Sequence, residues 1–265
     1  METLALSAAL GSLIGLVLAF TGAGGGILAM PLLVFGLHLP VQQAAPVGLA
    51  AVGIASAVGA LLGLRERVVR YRAASMIGLA GILVAPLGVA LAQRLPNRPL
   101  LVAFALLLAF VAWRSLKPPA PVDPDAGRPL PCQVNPAEGR LAWTWPCARA
   151  LAATGSLSGL LSGLLGVGGG FVIVPSLSRN TDLDLRSIHA TSLAVIALVS
   201  VSGVTAAIVQ GTLDWRVAGP FAAGATAALL IGRRFARGLD PGRLRQAFAW
   251  VSLVVSVLLL ARALG

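Results

Sequence analysis

Thr21-Gly22-Ala23-Gly24-Gly25-Gly26 and Leu165-Gly166-Val167-Gly168-Gly169-Gly170 are the two stretches on which the fold turns. They lie 144 residues apart, and the same offset pairs much of the rest of the chain. Gly11-Ser12-Leu13 matches Gly155-Ser156-Leu157, and Gly15-Leu16 matches Gly159-Leu160. Pro31 matches Pro175, Leu49-Ala50 matches Leu193-Ala194, Ser56 matches Ser200, and Gly59 matches Gly203. Arg72 matches Arg216, Gly88 matches Gly232, and Ala103-Phe104-Ala105 matches Ala247-Phe248-Ala249. No gap is needed from residue 11 to residue 114, and 26 of those 104 positions are identical. Apolar composition produces chance matches, but it does not align both glycine hexads and both prolines at one offset. The chain is an internal duplication.

Each repeat divides into the same pieces. In the first, apolar runs cover about 4–20, a short stretch ending near 41, then 43–64, 73–92 and 99–116. In the second they cover about 150–165, 170–178, 188–209, 217–232 and 246–264. Three consecutive glycines are a poor helix interior, since each costs about 1 kcal/mol relative to alanine. The hexads therefore read as breaks between two helices rather than as part of one. Residues 1–116 form the first membrane repeat and 147–265 the second, joined by a Pro-rich polar linker over 117–146. The first apolar run is read as a retained membrane segment, because no positive region precedes it.

Composition selects the solvent. Of the 265 residues 57% are hydrophobic and only 11% charged, against about 25% charged in ordinary soluble domains. Mean hydropathy is +0.90. Such a chain cannot coat a water-soluble globule, which excludes a soluble enzyme, a nucleic-acid-binding domain and a disordered chain. The net charge of +11 belongs to arginines between apolar runs, where such charges orient a membrane protein. Cys132 and Cys147 are too few for a metal site, and no cofactor is expected. A disulfide is the alternative, but the topology below puts them in the cytosol, where they are read as two inert thiols.

Arginine position decides topology. If each hexad breaks a hairpin, the repeats are inverted. One face then carries Arg65, Arg67, Arg70, Arg72, Arg114, Lys117, Arg128, Arg140, Arg149, Arg179, Arg186, Arg233, Arg234, Arg237, Arg243 and Arg245. The other keeps Arg94, Arg98, Arg216 and Arg262. Unbroken helices give a split of 11 to 9, with almost no bias. The positive-inside rule favours the inverted reading. It places both termini outside and the linker in the cytoplasm of a multi-pass inner-membrane protein. The expected fold is an all-α polytopic membrane protein of two inverted repeats. Each is a glycine-broken helical hairpin plus three transmembrane helices.

Inverted repeats with paired, interrupted short segments are a pattern of secondary transporters. A helix starting after a break offers unpaired N–H groups and a positive dipole end, which suit an anion. The nearby polar groups are small and neutral: Thr21, Ser12, Ser156, Ser158 and Ser162, then Ser56, Thr191, Ser192, Ser200, Ser202 and Thr205. Each alternatively bonds back to its own helix. All nine acidic residues fall in loops, ends or the linker, which disfavours a cation as substrate. His189 precedes Thr191 and is a candidate for proton coupling. The candidate substrate-binding set is Thr21, Gly22, Gly24, Gly25 and Gly26 with Gly166, Gly168, Gly169, Gly170, Thr191 and Ser192. No catalytic constellation or metal ligand set is present in the sequence, and nucleic acid is not an expected partner.

Two ungapped halves, each with Gly-x-Gly-Gly-Gly and a proline five residues later, resemble the TauE/SafE sulfite exporter family of membrane permeases. Ala190-Thr191-Ser192-Leu193 also resembles that family's Gly-Thr-Ser-Leu run, with alanine first; the first repeat departs there, with Pro46-Val47-Gly48-Leu49. The resemblance implies transport of a small sulfur-containing or organic anion, such as sulfite, sulfoacetate or thiosulfate. An anion channel on the same scaffold and a non-transporting membrane subunit are the alternatives.

Overall fold

The computed structural model describes residues 2–21, 25–116, 131–135, 140–141, 144–235 and 241–264. Among the described residues ten helices follow one another. In the first repeat they are α1 (Glu2–Thr21), α2 (Gly25–Gly36), α3 (Val41–Arg65), α4 (Tyr71–Arg94) and α5 (Asn97–Leu116). In the second they are α6 (Trp145–Leu165), α7 (Gly170–Asn180), α8 (Leu185–Val209), α9 (Trp215–Phe235) and α10 (Pro241–Leu264). Shifting α3 by 144 residues gives the bounds of α8, and the other pairs agree within a few residues at each end except the C-terminal ends of α4 and α9 and of α5 and α10. Among the described residues, six helices are long and apolar enough to cross a membrane: α1, α3, α4, α5, α8 and α10. This is an all-α polytopic membrane protein. The second apolar run stops at Gly36, short of residue 41, and Pro40 precedes the first turn of α3.

Close packing in a membrane rests on small residues, because lipid gives apolar helices no reason to prefer one another. Gly11 and Gly15 of α1 lie on the carbonyls of Phe221 and Ala225 in α9, so these two helices run in the same direction. Gly155, Gly159 and Gly163 of α6 lie likewise on Ile77, Gly81 and Ala85 of α4. Between them α3 crosses α8. Leu49 packs on Gly203, Ser200 on Gly53, Leu193 on Gly59 and Ala190 on Gly63. That order requires α3 and α8 to run antiparallel. The first arm of each broken hairpin therefore packs against the opposite repeat, while α2 and α7 contact α3 and α8 of their own. Ser256 of α10 donates to the carbonyl of Ala105 in α5 at 2.7 Å, joining the last pair.

Helix ends group by face. Glu66, at the end of α3, pairs with Arg186 of α8 at 2.8 Å and Arg233 of α9 at 3.1 Å. At the other face Asn97 accepts from the Val41 N–H at 2.9 Å, and Arg262 donates to the Val34 carbonyl at 3.0 Å. Asp184 caps α8 by accepting from the Ser187 N–H, and hydrogen bonding to Ser187 holds its carboxyl below the usual range.

The cysteines correct an expectation. Cys132 and Cys147 are bonded in a disulfide rather than being two separate thiols, with their Cα atoms 4.9 Å apart. A two-residue ladder pairing Val134 with Leu141 and Asn135 with Arg140 folds the chain between them back on itself. The Cys132 N–H donates to the Asn180 carbonyl at 3.0 Å. Thr144 donates to the Pro131 carbonyl and caps α6 by accepting from the Cys147 N–H. The linker's end is thus stitched to both open ends of the α6–α7 hairpin. The spacing of two cysteines carries no sign of this, because the approach is made by the loop.

Candidate functional site

The two breaks meet at the middle of the molecule. A Cβ on Gly168 would lie 3.0 Å from Cγ2 of Ile196 and 3.2 Å from Cγ1 of Val52. A Cβ on Gly26 would also lie 3.2 Å from Cγ1 of Val52, and it would overlap the Val167 carbonyl oxygen. Val52 is the twelfth of 25 residues in α3, and Ile196 is the twelfth of 25 in α8. Both breaks therefore sit at the mid-height of the two central helices. Val52 and Ile196 were absent from the expected set. They are 144 residues apart, so the duplication alone would have marked them as partners.

The second break is wound tightly. Gly166, Gly168 and Gly169 have φ of +68°, +73° and +67°. L-residues pay about 1–2 kcal/mol for that left-handed conformation, so glycine is required here by the backbone itself. Gly169 is the N-cap of α7 and makes no side-chain cap bond, and α7 has no acidic residue in its first turn. Its leading N–H groups and dipole end point toward the junction without a side-chain carboxylate to neutralise them. Gly170 is buried as the first residue of α7, and Gly166 lies on the backbone of Ala45. In the first break Gly25 is buried against the backbone of Leu18. Gly22 and Gly24 lie outside the described residues.

The hydroxyls separate into two groups. Ser12, Thr21 and Thr205 donate to carbonyls four residues back, at Ala8, Val17 and Val201. Ser192 donates to the His189 carbonyl at 2.8 Å, and Ser202 to the Ile82 carbonyl at 2.9 Å. Thr191 accepts from the Arg70 N–H at 3.0 Å, which ties the start of α4 to α8. Thr191 and Ser192 lie on the arginine-rich side of Ile196, five and four residues before it, with their hydroxyls engaged in packing. In contrast Ser56, Ser158, Ser162 and Ser200 are buried with hydroxyls that make no hydrogen bond among the described residues. Among the described residues, no group of three or more His, Cys, Asp or Glu side chains is placed to hold a metal.

Relatives agree with the membrane architecture. A probable membrane transporter protein of Xylella fastidiosa (strain 9a5c) is 27% identical over 266 residues, covering 99% of this chain and 97% of its own length. The probable membrane transporter protein YdhB of Bacillus subtilis (strain 168) is 24% identical over 254 residues, covering 94% of this chain and 96% of its own. No solved structure matches this chain. The profile of the family described as Sulfite exporter TauE/SafE matches residues 7–259. With nearly its whole length matched, and its paired breaks buried between multiple apolar helices, the chain belongs to the sulfite exporter TauE/SafE family of membrane transporters.

Proposed function

We propose that this membrane transporter carries a small anion of the sulfite, sulfoacetate or thiosulfate kind by alternating access between two inverted halves. The observation that carries the reading is the convergence of both glycine breaks on Val52 and Ile196 at the mid-height of antiparallel α3 and α8. Helix N-termini meeting at mid-membrane bind anions without fixed positive charge. Each such end contributes about 0.3–1 kcal/mol when exposed and up to about 2 when partly buried. The resulting site is weak enough to release its load. Packing favours a carrier over an open pore. Gly26 rests on the Val167 carbonyl, and the cavity beside the crossing, lined by Gln42, Leu49, Gln93 and Gly203, holds about 10 Å³. That is room for about one water, so an oxyanion passes only if the halves move.

The arginine distribution supports a linker in the cytoplasm and both termini outside the inner membrane. Proteoliposomes loaded with each anion test the function. Accelerated exchange of labelled sulfite, thiosulfate or sulfoacetate against the same unlabelled anion is expected. Rapid conductance without counterflow would establish the channel instead, and no flux of any of the three would overturn the substrate class.

A further inference from the structure

The buried hydroxyls without partners are not scattered. A buried polar group left unpaired costs about 1–3 kcal/mol, so each one calls for a physical account. Four of them lie within one helical turn of a residue that touches the second break. Ser158 does so directly, since a Cβ on Gly169 would overlap its Oγ. Ser162 follows one turn along α6, and its carbonyl accepts from the Gly166 N–H at 2.8 Å. Ser200 is one turn beyond Ile196, and Ser56 one turn beyond Val52, on the faces that reach Gly168. Ser200 also packs on Gly53, which puts Ser56 and Ser200 within about 5 Å of each other along the helix axes. A fifth such hydroxyl, on Ser252 of α10, stands outside the set, because the observed α10 contacts run to α5, α1 and α2.

We propose that Ser158, Ser162, Ser200 and Ser56 are the substrate's hydrogen-bond donors, gathered around the N-terminus of α7. The inference rests on the anion-transport reading and narrows it to the second of the two breaks, with Ser56 contributed by α3 of the first repeat. The first-repeat equivalents of Ser158 and Ser162 are Ile14 and Leu18, both buried. The first break has no hydroxyl at those positions to offer, so the anion is held by the second break and roofed by the first. Four neutral O–H donors beside a helix N-terminus suit a compact oxyanion that presents several acceptor oxygens. Ser12, Thr21, Thr154, Ser192 and Thr205 donate back to carbonyls of their own helices, and these four serines do not. Their arrangement is that of donors held for a guest.

Two measurements test the assignment. Purified protein is titrated with sulfite, thiosulfate and sulfoacetate, and with chloride as control. The affinity for whichever oxyanion binds is expected to fall about tenfold in each of Ser158→Ala and Ser200→Ala. Ser252→Ala is expected to leave it unchanged. Unchanged affinity in both Ser158→Ala and Ser200→Ala, with loss in Gly169→Val, would overturn the hydroxyl assignment and leave the glycine site standing. The second measurement needs no ligand. In a Cys132→Ala, Cys147→Ala background, Ser158→Cys and Ser200→Cys are expected to react with anionic sulfonatoethyl methanethiosulfonate about tenfold faster than Ser252→Cys. Rates equal to Ser252→Cys would overturn the proposal. Faster reaction with the cationic trimethylammonioethyl reagent would instead overturn the anion reading while keeping these positions on the path.

Discussion

The α1–α2 and α6–α7 hairpins are related by the 144-residue offset, carry the same glycine motif and set α1 and α6 on the opposite repeat in the same way, yet their inner seams differ in chemistry. In the second hairpin Thr154 and Ser176 share a hydrogen bond between α6 and α7, and Asn180 donates to Ser176 at 3.2 Å. The equivalents in the first are Leu10, Leu32 and Gly36, with Leu10 packed where a Gly36 side chain would be. Continuing inward, Ser158 and Ser162 face Ile14 and Leu18 across the duplication. Duplication preserved what the backbone needs, which is glycine at contacts and breaks. The side chains differ, and the seam between the two arms is apolar in the first hairpin and hydrogen-bonded in the second.

The largest expected effect breaks the likeness. Gly15 and Gly159 are equivalent, and a Cβ on either would overlap a backbone carbonyl, of Ala225 or of Gly81. Gly15→Val and Gly159→Val should each cost about 1–3 kcal/mol or more, by comparable amounts. Thermal unfolding in detergent measures this, and a valine tolerated at either position would contradict the helix–helix approach described here.

Next comes the linker, which braces the second hairpin at both open ends. Cys132→Ser should destabilise by about 3 kcal/mol in the oxidised protein, the loop-entropy value for a closed loop of this size. Hydrogen exchange should rise in α7 and stay unchanged in α2. The bridge also tests orientation. With the linker in the reducing cytoplasm, both thiols should be alkylated in rapidly quenched cells and bridged only after oxidation. A bridge already complete in quenched cells would place the linker on the oxidising side and reverse the topology drawn from the arginines.

The smallest effect sharpens the difference between the breaks. Gly169 sits at φ +67° with Ser158 Oγ against it, while Gly25 has no positive φ and lies against the nitrogen, Cα and Cβ of Leu18. Gly169→Ala carries about 1–2 kcal/mol of left-handed backbone cost that Gly25→Ala lacks. Gly169→Ala should therefore lower the unfolding temperature further, and the opposite order would refute the conformational assignment. Gly25→Ala is not harmless, since its Cβ would lie 2.6 Å from the Leu18 nitrogen.

The sequence by itself determined the solvent, the succession of apolar helices and the place of the breaks. These are properties of composition and local backbone: apolar runs of membrane length, glycine where a helix must stop, charge at the ends. The surroundings of Thr191 and Ser192 are not of that kind. Thr191 accepts from the Arg70 N–H, 121 residues away in the chain, and Ser192 donates to the His189 carbonyl. Whether a serine bonds to its own helix or stays without a partner, as Ser158 and Ser200 do, depends on which surface is pressed against it. So does the meeting of Cys132 with Cys147, which a returning loop brings about. Only tertiary structure decided these points, because contacts between distant segments are set by how helices cross and not by the residues adjacent in the chain.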